Sequence, residues 1–164
     1  MKELNINNIN TSAPYHVYHE QNRMDYYLFQ TDQGIVYSVS FSEEFEIGGC
    51  MSYQYSIGNK EEIHGTLDIK IRLTCIAIIK EFFKEYQNVL LFICDTSDHR
   101  EKARNRLFLN WFKEYASPAD FIILSAHQQI EEQGWYASII VSKANPLLES
   151  IKEDFYDMTQ GFQK

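Results

Sequence analysis

Val89-Leu90-Leu91-Phe92-Ile93-Cys94-Asp95-Thr96-Ser97-Asp98-His99-Arg100-Glu101-Lys102-Ala103-Arg104 is the stretch on which the reading of the fold turns. Its first six residues are apolar without a break and polar residues flank them, the pattern of a strand covered on both faces. Asp95 to Asp98 stops that strand. Asp98 is placed to accept backbone N–H bonds as a helix N-cap, with Glu101 three residues on as in a capping box. The period then changes: Ala103, Leu107, Phe108, Trp111, Phe112 and Tyr115 recur at three- and four-residue spacings and predict one apolar helix face. At about 100° per residue, Arg100 and Arg104 fall on the side of Leu107 and Trp111. A guanidinium keeps its charge, so an arginine on the core side calls for an anion. Three readings stay open: an internal ion pair with Asp95 or another carboxylate, an external anion held by both arginines at the helix start, or side chains running out to solvent along their stems. Asp95, Ser97, Asp98, Arg100 and Arg104 are therefore the candidate anion- or ligand-binding residues.

Working outward, the composition bounds the rest. A chain of 164 residues with 45% hydrophobic content is long enough for a sizeable core. The formal net charge of −8 opposes general nucleic-acid binding, which needs clustered Lys and Arg to neutralise phosphates. No apolar run approaches the ~18 residues of a membrane span, and Met1 to Ser12 lacks the apolar centre of a signal peptide. A cytoplasmic location is expected. Cys50, Cys75 and Cys94 are odd in number and widely spaced, which argues against a disulfide framework or a zinc site.

Residues 1–13 are polar and expected to be flexible, and 14–164 are expected to form a single α/β domain. Tyr15 to His19 reads as a short strand. Met24 to Thr31 and Ile35 to Phe41 read as a hairpin turning at Asp32-Gln33-Gly34. Gly48-Gly49 marks a bend, and Met51 to Ile57 alternates as a strand. A helix capped at Thr66 or Asp68 runs to Tyr86, with Leu67, Ile71, Cys75, Ile78, Phe82 and Tyr86 inside. After the central strand and helix, Asp120 to Gln128 and Trp135 to Lys143 form a second hairpin, and Asn145-Pro146 opens a last helix to about Met158. The expected fold is α/β (α+β): a mixed, largely antiparallel sheet built as meander, helix, central strand, helix, hairpin and C-terminal helix.

Two resemblances follow from these residues. Ile93 to Asp98, Ala103 to Phe108 with Trp111-Phe112, Tyr136 to Val141 and Lys143-Ala144-Asn145-Pro146 together resemble a bacterial family of small proteins with no assigned function. That resemblance implies a shared fold and no activity. The element order from Met24 to Lys143 is also similar to the core of the acetyl-CoA-dependent N-acetyltransferase superfamily. There, the loop after the strand preceding the first core helix cradles the cofactor pyrophosphate. The corresponding loop, Gly58 to Thr66, lacks that superfamily's basic, glycine-spaced pattern, so the resemblance implies a degraded acetyl-CoA site and carries over no catalytic residue.

Other chemistry finds little support. Asp95 and Asp98 beside His99 lie where open α/β sheets often bind ligands, yet the phosphatase pattern needs a second Asp where Ser97 stands. His16 and His19 would face opposite sides of a strand. There is no nucleophile elbow, Walker loop or His-Glu-x-x-His. The expected function is a non-catalytic binding or protein-interaction module with no cofactor and an unidentified protein partner. Its alternative is an acyl-CoA-binding, acetyltransferase-like protein. A homodimer is compatible with either.

Overall fold

The computed structural model describes residues 1–20, 23–59, 68–85, 87–94, 101–116, 119–130 and 133–160. Among them are four helices and one seven-stranded sheet. In chain order they are α1 (Ile6–Asn10), β1 (Val17–Glu20), β2 (Arg23–Gln30), β3 (Val36–Ile47), β4 (Cys50–Asn59), α2 (Ile69–Phe82), β5 (Val89–Cys94), α3 (Glu101–Tyr115), β6 (Phe121–Ile130), β7 (Gln133–Ser142) and α4 (Leu148–Gln160). The strand order is β1-β2-β3-β4-β5-β7-β6. The sheet is mixed and mostly antiparallel, as its sequence predicts. Its parallel neighbours are β4 and β5, in register from Ser52↔Val89 to Gln54↔Leu91, and a helix joins them because parallel strands need a crossover. The last strand, β7, lies between β5 and β6 and is antiparallel to both.

The chain divides into two compact units. The first holds residues 1–42 and 55–85, the second residues 43–54 and 86–164. In the first, β2 pairs with β1 and β3, and aromatic rings fill the face beneath α2. Phe41 stacks on Phe82 with centroids 4.6 Å apart, and edge contacts join Phe41 to Tyr27 and Tyr55. Asp68 caps α2 by accepting a bond from the Ile71 N–H at 2.8 Å. The expected inner stripe of Ile71, Cys75, Ile78 and Phe82 is buried, while Leu67, Thr66 and Tyr86 lie outside the described residues. Thr74, Ile76, Ile79 and Glu81 are buried too, giving α2 a wider covered face than one stripe. Part of the cover is α1, in the segment the sequence leaves as flexible. Its Ile9 is buried, and its Asn8 amide donates to the Glu81 carboxylate at 3.2 Å.

In the second unit, β5 is covered on both faces, as a continuous apolar strand requires. Val89 and Leu91 join Ile47, Cys50, Ile139, Val141, Ile151 and Phe155 beneath α4. On the other face Phe92 stacks on Phe108 of α3 at 4.0 Å, and Trp111 and Phe112 are buried. Leu107 departs from its expected place on the inner face: it is 48% exposed, because the covered stripe of α3 centres on Phe108, Trp111 and Phe112. Asn145 organises the start of α4. Its side chain accepts from the Leu147 N–H at 2.9 Å and donates to the Gln87 carbonyl at 3.3 Å. The strand β3 runs six residues past its expected end, through the exposed, charged stretch Glu43-Glu44-Phe45-Glu46. Gly48 and Gly49, both at positive φ, then turn the chain into β4 with a two-residue hairpin rather than a simple bend.

Candidate functional site

The sequence singles out Asp95, Ser97, Asp98, Arg100 and Arg104. Asp95, Ser97, Asp98 and Arg100 lie outside the described residues. Arg104 stands within α3, but its side chain is outside them as well. Their place in the chain is plain: β5 ends at the buried Cys94 and α3 begins at Glu101. The expected phosphate-loop segment falls the same way, since of Gly58 to Thr66 only Gly58 and Asn59 are described.

Other groups that could carry chemistry are committed to structure. All three cysteines are free and buried. The Cys75 thiol is pushed up to about 12 by burial, offset in part by its hydrogen bond with the Tyr55 hydroxyl, so at neutral pH it is protonated and a poor nucleophile. Burial likewise raises Tyr55 well above the usual phenol range. Cys50 is packed against the Asn145 side chain. Among the described residues no three His, Cys, Asp or Glu side chains are grouped to hold a metal ion, and no helix is long and apolar enough to cross a membrane.

What the structure adds is an edge. The strand β6 ends the sheet, and its ten residues pair with β7 without interruption, from Phe121↔Ser142 to Ile130↔Gln133. Among the described residues no strand pairs with its other side. Ile122, Leu124 and Ala126 pack toward the core under α4. On the opposite face Phe121, Ile123 and Ser125 border a groove of about 470 Å³, closed on its far side by Leu109, Phe112 and Lys113 of α3. Ser125 is exposed, with its hydroxyl 2.8 Å from that of Ser138 on β7. The groove is mainly apolar, with one cation at its border.

Sequence shows both strands of this hairpin but not which of them is outermost, since chain order would leave β7 at the edge. Charge does not separate them either, since neither Phe121–Ile130 nor Gln133–Ser142 contains Asp, Glu, Lys, Arg or Pro.

Residues 67–157, more than half of the chain, match a family described as a family of unknown function, DUF6169. The chain belongs to that family. The matched span runs from just before α2 into α4, so it contains β5, α3, the β6–β7 hairpin and residues 95–104. No curated protein and no solved structure matches the chain.

Proposed function

We propose that this chain is a non-catalytic interaction module whose contact element is the outer edge of β6 with the groove beside it. The observation that carries this reading is the length and bareness of that edge. An edge strand offers a row of outward N–H and C=O groups, and proteins normally blunt such rows with charge, proline, a bulge or shortness. At β6 none of these devices is present in ten residues. Partners of this kind add a strand and gain main-chain hydrogen bonds, with adjoining pockets selecting alternate side chains.

Residue-resolved amide exchange tests it. In an antiparallel edge strand every second N–H points away from the ladder. In dilute protein we expect the β6 amides to alternate between slow and fast exchange. Uniformly slow exchange in a chain that sediments as a monomer means that the chain itself covers the edge, and the proposal fails.

A second reading is acyl-CoA binding, favoured by the order of elements along the chain. A run of antiparallel strands, a helix, a strand, a helix and a closing pair of strands is the order that resembles the acetyltransferase core. Thermal unfolding with acetyl-CoA separates the two readings. The interaction module predicts no shift, whereas a rise of about 5 °C at saturating acetyl-CoA, absent with phosphate, supports the cofactor reading.

A further inference from the structure

We propose that the occupant of the β6 edge is the β6 edge of a second copy of this chain, joined in an antiparallel seam about a two-fold axis at Ser125. This rests on the edge reading above and names its partner.

The chain treats its exposed strands unequally. The other end of the sheet is β1, only four residues long, with an irregularity between His19 and Glu20 where it meets β2. The far part of β3 is exposed and carries Glu43, Glu44 and Glu46. Shortness, irregularity and charge are the usual protections against pairing. Among the described residues β4 and β7 are as long and as free of formal charge, but both lie inside the sheet; β6 is the one exposed at an edge.

Charge also selects the partner. Two copies of net charge −8 repel at long range, so a seam between them must avoid acidic residues. The β6 strand contains none, while Asp120 stands just before its start. A foreign partner chosen by charge would need a charged row on β6 to recognise, and there is none. A second copy supplies a strand of equal length with the same uncharged character.

Symmetry fixes the register. Antiparallel strands side by side are related by a two-fold axis perpendicular to the sheet, and that axis sets one residue opposite its own mate. The middle of Phe121–Ile130 falls at Ser125 and Ala126. Ala126 packs toward the core, whereas Ser125 is exposed and small, and centring there sets Phe121 opposite Gln129, so that nine of the ten residues enter the seam. Directly opposite residues have Cβ atoms about 5 Å apart.

Sedimentation velocity on the full chain, from about 1 to 100 µM, should show the 19.4 kDa protomer passing to a species of twice that mass. Ser125→Lys sets two like charges face to face and should hold the chain monomeric, with its secondary structure by circular dichroism retained. Ser125→Cys should form a disulfide-linked dimer on mild oxidation, the three native cysteines being buried. A wild-type chain that stays monomeric throughout overturns the proposal. So does a dimer that survives Ser125→Lys and fails to cross-link through Cys at 125. A monomer whose β6 amides still alternate removes the self-pairing and leaves the edge reading standing, whereas a monomer whose β6 amides are uniformly slow removes both.

Discussion

Gly48→Ala is expected to destabilise the chain by at least about 3 kcal/mol, read as a lower denaturant midpoint. Two costs add at this position. Gly48 has φ +56°, a left-handed conformation that a side chain disfavours. A Cβ there would also stand 2.5 Å from the Ile151 Cα, against backbone of α4 that cannot swing aside as a side chain can. The same close approach lets the Gly48 N–H donate to the Asp154 carboxylate at 2.7 Å. Its neighbour supplies the control. Gly49 lies at φ +84°, but a Cβ there would meet only the Leu147 Cδ1, at 3.4 Å. Gly49→Ala should therefore cost mainly backbone strain, about 1–2 kcal/mol. Equal losses at the two glycines would mean that the contact with α4 contributes nothing.

Phe82→Ala should cost about 4 kcal/mol, again from denaturant unfolding with the slope unchanged. The ring is fully buried, lies within 4° of parallel to Phe41, and meets Phe83 edge-on at 5.1 Å. Its removal leaves a cavity bordered by aromatic rings, which cannot collapse as aliphatic chains can. Leu107→Ala removes a side chain of similar hydrophobicity that is about half exposed, and should cost under about 1 kcal/mol. A loss at Leu107 matching that at Phe82 would mean that the exposed face of α3 is covered in solution.

Much of this fold was legible because burial writes itself into periodicity. The unbroken run Val89–Cys94 marks the doubly covered strand, the alternation at Met51–Ile57 marks β4, and Asp68 marks the start of α2. Three features escaped for physical reasons. Helix α1 is short and rich in Asn, and its place depends on Ile9 finding cover and Asn8 finding Glu81, contacts made across long sequence separations. In the extension of β3, Glu43 interrupts the alternation of Phe41, Phe45 and Ile47, and the strand is exposed from Ser42 to Glu46. The edge position of β6 depends on β7 lying between β5 and β6, which no local pattern encodes. The candidate residues Asp95 to Arg104 were found by the chemistry of their types alone. The groove beside β6 was missed because it needs Leu109 and Phe112 of α3 to meet Phe121 and Ile123 across the fold.

The position of β7 also sets an order of events during synthesis. Val89 pairs with Val141 and Cys94 with Tyr136, partners more than forty residues apart, whereas Ile130 pairs with Gln133, three residues along the chain. Loop closure favours the local pair, so the β6–β7 hairpin should form first and then dock through β7 onto β5. Until that moment β5, paired with β4 on one side, has its other side bare, and a nascent chain stalled after β6 also carries an uncharged β6 with no mate. The rate of hairpin docking, rather than the stability of the finished sheet, then decides how long a newly made chain is open to misassembly.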